Sequence, residues 1–452
     1  MANWNVSSLL SEDRDHLLHP LYHPDDHAKP HVWVKGKGAV LIDAEGREYI
    51  DGLACLWNVN VGHGRRELAE AAAEQMSTLA YSTNYVGSSN VPAIKLAQRM
   101  SELAYPNLCA TYFTSGGAES NESAFKTARF YWKAKGKPDK VKVISRQFSY
   151  HGVTMAAMSA TGVPGYDKMF GPRVPNFIHT ATPYAYRFEG ARPGETVGQA
   201  AARMLEETIL KEGPETVAAF IAEPVQGAGG IIVPPDDYFP RVREICTKHD
   251  VLFIADEVIT GFGRTGDWFA MKRWGVQPDI LAFAKGITSG YLPLGGIMVS
   301  HQVLDAMLSV PYADRWMHAY TYSGHATCCA VGLRNLEIIE KEGLVDNAAK
   351  MGARLLAGMR TLTDLNAVGE VRGLGLMVAV ELVADRATKA AFDPAKKIIG
   401  KVKAELEARG VFTRNVRDIL CFAPALVITE AQVDRLVEST RGAIAAVLPE
   451  RA

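Results

Sequence analysis

The sequence predicts an α/β protein: a large domain with a mostly parallel sheet sandwiched by helices, and a smaller α+β domain. Three observations carry this. From about residue 65 to 300, helix-like stretches alternate with short apolar runs: ATYFT (110–114), KVKVIS (140–145), VAAFIAE (217–223), VLFIAD (251–256) and DILAFA (279–284). Unbroken apolar strands between amphipathic helices call for a sheet covered on both faces. Further on, helical patterns over 333–363 and 394–409 flank the strand-like GLMVAVEL (375–382). Finally, the 452 residues exceed the roughly 100–200 of one domain, and a chain of this size buries about three quarters of its unfolded surface without needing a metal or disulfide staple.

In chain order, the first 30 residues are polar and bring His16, His19, His23 and His27 together with Asp25 and Asp26. Pro20 and Pro24 interrupt any single helix face, so the histidines need not converge, and no metal site is expected; a surface arm covering another part of an assembly is the better reading. AVLIDAEGREYID (39–51) reads as a hairpin turning near Gly46. The expected division is an arm and hairpin over 1–64 belonging to the small domain, a large domain over 65–325, and the rest of the small domain over 326–452. The small domain is then discontinuous in sequence. Gly373-Leu374-Gly375 imitates the start of a dinucleotide fingerprint, but Val378 stands where the third glycine belongs and a strand follows, so nucleotide binding is disfavoured.

Composition narrows the function classes. With 49 basic and 50 acidic residues, bulk charge predicts neither a nucleic-acid nor a membrane-surface partner. No apolar run approaches the ~20 residues of a membrane helix, and MANWNVSSLL lacks the basic start and apolar stretch of a secretory signal. Cys55, Cys109, Cys246, Cys328, Cys329 and Cys421 show no CxxC spacing, as expected of reduced thiols in a cytoplasmic protein. The expected partners are small molecules.

Four local patterns carry chemistry. Asp256 ends the run 251–255, and ligands of parallel sheets bind outside such strand ends; alone, it could equally cap a loop. Lys285 follows the strand 279–283. A lysine there either emerges into solvent or is used covalently, and partial desolvation lowers its pKa as a Schiff-base lysine requires. Ser115-Gly116-Gly117-Ala118 joins a strand to a helix beginning near Glu119, which is an ordinary glycine turn or a phosphate cradle. Tyr150-His151-Gly152 offers an aromatic face for a flat ring, or plain core packing. Together, cradle, aromatic, acid and lysine make a list that pyridoxal 5′-phosphate explains.

FTSGGAESNE, SYHG, AEPVQGAGG, ADEVITGFGRTG, PDILAFAKGI, LPLGG and YTYSGH resemble the class III, fold-type I pyridoxal-phosphate aminotransferases over residues 30 to 440. LWNVNVGHGR (56–65) resembles the ω-transaminase branch. The resemblance implies that Lys285 binds the cofactor and shuttles the proton, and that Asp256 pairs with the ring nitrogen. It implies phosphate contacts from Ser115, Gly116, Gly117 and Ala118, the family often having Ser at position 118. Tyr150 and Val258 would face the ring, with His151 and Glu223 in the polar network beside it. Tyr320 and Thr321 would reach the cofactor of a neighbouring subunit, making a homodimer or higher homo-oligomer obligatory. Leu56, Trp57, Tyr85 and Tyr150 would line the substrate pocket. Arg414 would pair with a substrate carboxylate and Arg417 is the lesser candidate by register. Ala228 stands where γ-aminobutyrate aminotransferases usually carry Glu, against that subgroup.

The expected activity is transfer of an amino group from a primary amine, diamine or ω-amino acid to a keto acid, with pyruvate the expected acceptor. Two alternatives stay open: an enzyme of the same scaffold with another outcome (aminomutase, racemase or decarboxylase), and a non-catalytic cofactor-binding protein. The physiological donor, pyruvate against 2-oxoglutarate, stereochemistry and dimer against tetramer are not readable from the sequence.

Overall fold

The computed structural model describes residues 4–27 and 30–449. In chain order its strands are β1 (Trp33–Lys37), β2 (Val40–Asp43), β3 (Glu48–Asp51), β4 (Leu108–Thr114), β5 (Lys142–Arg146), β6 (Phe177–Thr180), β7 (Val217–Ala222) and β8 (Leu252–Asp256). They continue with β9 (Ile280–Phe283), β10 (Gly295–Ser300), β11 (Val368–Gly373), β12 (Val378–Leu382), β13 (Val411–Phe412), β14 (Arg414–Val416) and β15 (Ile419–Phe422). The central sheet has the order β4-β10-β9-β8-β7-β5-β6. All its strands run parallel except β10, which is antiparallel to both neighbours. Every residue of β7, β8 and β9 is buried, which explains their unbroken apolar runs: neither face meets water, so no alternation is needed.

The hairpin expected near Gly46 is β2–β3, extended by β1 into a small sheet. Its free edge pairs in parallel with β13, Ile50 opposite Val411, so chain ends far apart in sequence share one sheet. A third sheet, β11-β12-β15-β14, carries Arg414. The helical pattern expected over 333–363 is two helices, Ala326–Lys341 and Leu344–Arg360. They part at Gly343, whose φ of +61° no continuing helix accepts. The helix Gly117–Ala134 begins at Gly117 rather than at Glu119. Among the described residues no helix is long and apolar enough to cross a membrane.

Candidate active site

Five parallel strands deliver their C-terminal ends to one cavity of about 400 Å³. After β4 come Ser115, Gly116, Gly117 and Ala118; after β5, Tyr150 and His151; after β7, Glu223. Asp256 is the last residue of β8, and Lys285 follows β9. All of these and Val258 line the cavity. A larger cavity, about 710 Å³, is bounded by Thr182, Tyr184, Arg187, Glu381 and Arg417 and holds neither Lys285 nor Asp256. Converging chemistry, not size, marks the site.

The acid is held from three sides. Asp256 Oδ2 accepts from Asn121 Nδ2 at 2.8 Å and from His151 Nδ1 at 2.7 Å, and Oδ1 accepts the Val258 N–H at 3.1 Å. Beside it Glu223 accepts N–H bonds from Tyr150 (2.9 Å) and Gly227 (3.0 Å). Burial pushes the Glu223 carboxyl up to about 7; Asp256 adds to the rise and His151 opposes it. The buried Arg146 donates to the Glu223 carbonyl, while its Nε and Nη1 have no partner among the described residues. Burial also lowers the Lys285 ammonium pKa, against the pull of Asp256 and Glu223. Lys285 is built at φ +46°, a strained region that non-glycine residues adopt chiefly where neighbours enforce it.

The phosphate end is a helix N-terminus. Gly116 caps the helix Gly117–Ala134 without any side-chain hydrogen bond, so first-turn N–H groups remain for an anion. A Cβ on Gly117 would meet Val258 Cγ1 at 2.8 Å, so the backbone lies bare against the ring-side valine. The Ser115 N–H is already spent on Glu119 Oε2 at 2.8 Å, which leaves Ser115 only its hydroxyl. A buried carboxylate, an amine with depressed basicity and an uncapped helix end in one cavity fit the ring nitrogen, aldehyde and phosphate of pyridoxal phosphate. The orphaned His151 Nε2 and Asn121 Oδ1 add buried polar atoms beside the acid.

The remaining expected residues lie apart from this cavity in the single chain. Trp57 is 2 % exposed and packs in a core cluster with Val225, Ile259 and Met377. Its neighbour Asn58 lines the cavity instead. Leu56 and Tyr85 are about half exposed, at 47 % and 51 %, and Ala228 is half-buried on its loop. Thr321 is exposed, its carbonyl accepting from Tyr81 Oη at 2.8 Å, and the Tyr320 N–H donates to Tyr112 Oη at 2.9 Å. Arg414 sits on β14, near enough to temper the rise that burial and Tyr166 impose on the Tyr150 hydroxyl. Arg417 instead covers the Phe148 ring at 4.7 Å and faces the larger cavity. Sequence reasoning missed Asn121, Asn58, Thr288 and Gly290, all cavity residues. Asn121 alone carried a signal, lying one helical turn beyond Gly117 on the same face.

Fold and site together define a pyridoxal-phosphate transaminase, and the family model for class-III aminotransferases matches residues 21–444. The chain belongs to that family, in its ω-transaminase group, and pyridoxal 5′-phosphate is its cofactor. It is similar to the diaminobutyrate–2-oxoglutarate transaminase of Halomonas elongata, 42 % identical over 96 % of this chain and 95 % of that one. It is also similar to the putrescine–pyruvate aminotransferase of Pseudomonas aeruginosa, 39 % identical over 95 % and 94 %. Among solved structures, an (S)-enantioselective ω-transaminase from Thermomicrobium roseum superposes with a TM-score of 0.95 at 51 % identity, covering 98 % and 99 % of the two chains. The Pseudomonas jessenii ω-transaminase in complex with PMP gives 0.94 at 38 %, covering 97 % and 98 %.

Proposed function

We propose that this protein is a cytoplasmic amine:pyruvate-type transaminase that takes its amino group from a primary amine, diamine or ω-amino acid and works as a homodimer. Arg414 carries the reading. Among the described residues its guanidinium forms no ion pair, and its charge is felt at the hydroxyl of Tyr150, which lines the cavity. A guanidinium with its fork unspent suits a keto-acid carboxylate. Ala228 places no acid on the neighbouring loop to neutralise it.

When bound, pyridoxal phosphate supplies an electron sink that stabilises negative charge at the substrate carbon. The first-turn N–H groups at Gly117 and Ala118 would hold its phosphate. Asp256, oriented by Asn121, His151 and the Val258 N–H, would pair with the ring nitrogen, with Tyr150 and Val258 on opposite faces. Lys285 Nζ would move the proton at the substrate carbon, and burial, which lowers its basicity, favours the free amine that accepts it. Thr321, exposed in one chain, would serve the partner's phosphate.

The relatives divide on the acceptor: one is named for pyruvate and the other for 2-oxoglutarate. The test offers purified enzyme a neutral amine with each keto acid and follows alanine against glutamate. Alanine formed faster supports the proposal, and glutamate formed faster makes 2-oxoglutarate the acceptor. Arg414→Ala is expected to raise the keto-acid KM by roughly tenfold or more, the loss of one charge-assisted pair, while the neutral-amine half-reaction holds. Equal losses in both halves would remove Arg414 from this role.

A further inference from the structure

We propose that Asp51, Cys55 and His63 form a binding site for a zinc-like divalent cation, with water as the fourth ligand. The three residues offer one sulfur, one imidazole nitrogen and one carboxylate oxygen, all within 4.8 Å of one another. His63 Nε2 lies 2.9 Å from Asp51 Oδ2 and 3.9 Å from Cys55 Sγ. With metal–ligand bonds of about 2.0–2.3 Å, the edges of a tetrahedron are about 3.3 Å between N and O and about 3.5 Å between N and S. The observed separations bracket those edges, so a cation needs only small side-chain adjustments.

Thiol and carboxylate both face the same imidazole nitrogen. A His that relays protons between a thiol and an acid uses its two nitrogens on opposite sides, so this is not a relay. Three donor atoms converging on one point suit a borderline-soft cation instead. The frame is built: Asp51 is fully buried and accepts the N–H groups of Leu53 (3.2 Å) and Cys55 (2.9 Å). His63 is clamped to Gly38 by a reciprocal pair of backbone bonds at 2.8 and 3.0 Å. Cys55 remains open to solvent, giving an ion a route in.

The segment between the ligands is strained. Ala54, Cys55, Leu56 and Trp57 have consecutive φ values of +46°, +43°, +75° and +60°, a left-handed turn that L-residues disfavour. A cation joining Cys55 to Asp51 and His63 would pin that turn, next to Asn58 in the cofactor cavity. Binding would release the thiol proton to solvent as the metal–sulfur bond forms. This site is independent of the transaminase reading.

The test is titration of tag-free, full-length holoenzyme with Co2+, following ligand-field absorbance in the red, away from the cofactor's bands. The expected result is one tight equivalent per chain, displaced by Zn2+ and lost in Cys55→Ser and in His63→Gln. Retention of the cofactor band shows that those variants fold. No such band in the wild-type protein, or either variant binding as the wild type does, overturns the proposal.

Discussion

Glu223 is charged at a cost in this fold. Its unfolded counterpart titrates at about 4.3, whereas burial lifts it to about 7 in the folded protein. The folded state therefore prefers the neutral acid. The stability this group contributes is complete below the unfolded value and is lost as pH rises through about 7. In cofactor-free enzyme, thermal unfolding from mildly acidic to mildly alkaline pH should show this decline, and Glu223→Gln should flatten it by a few kcal/mol, on the order of 1.4 per pKa unit. The same slope in both proteins would mean that Glu223 stays charged throughout. Lys285 and Asp256 were legible because each ends an apolar run, and a charge there needs a reason. Asn58 was not, since an amide is equally at home on a surface, and Asn121 offered only its place one helical turn beyond Gly117.

The helix Gly117–Ala134 holds the phosphate end by what it lacks, a side-chain cap and a Cβ at its first residue. Gly117→Ala should force Val258 aside and weaken cofactor binding, by about 1–3 kcal/mol if overpacking behaves as in other cores. Val258→Ala in the same chain should recover part of that loss. A fluorescence titration of apoenzyme with pyridoxal phosphate measures both, and failure of the second substitution to help would place the damage elsewhere. At this scale the sequence was readable where burial is two-sided: β7, β8 and β9 announce themselves. It was less readable for β10, whose direction depends on the route of the chain rather than on its residues. The break at Gly343 was missed because glycine inside a helical pattern is tolerated as often as it terminates one.

Several large apolar side chains stand exposed on a single chain. Val86 (95 % exposed), Met317 (71 %), Val91 (69 %) and Tyr322 (60 %) stand in the same two segments as Tyr85 and Thr321. In the proposed dimer a second copy would cover these side chains and bring Thr321 to a neighbouring cofactor. Val86→Arg should weaken association, seen by sedimentation at falling concentration, with activity per chain dropping in parallel although Lys285 is untouched. Unchanged sedimentation would take Val86 out of the contact. The sequence grouped the hairpin with the C-terminal residues but not through a particular strand; β13, which pairs with β3, is two residues long and left no pattern. The cavity has a further consequence. Its walls are loops from five strands of one sheet together with Asn58 and residues 288–294, so its occupant ties together parts of the chain that otherwise part on heating. Heat resistance then follows mass action: free cofactor at a hundred times its dissociation constant adds about 2.7 kcal/mol. Dilution alone should age this enzyme, and resupplying the vitamin-derived ligand should preserve it.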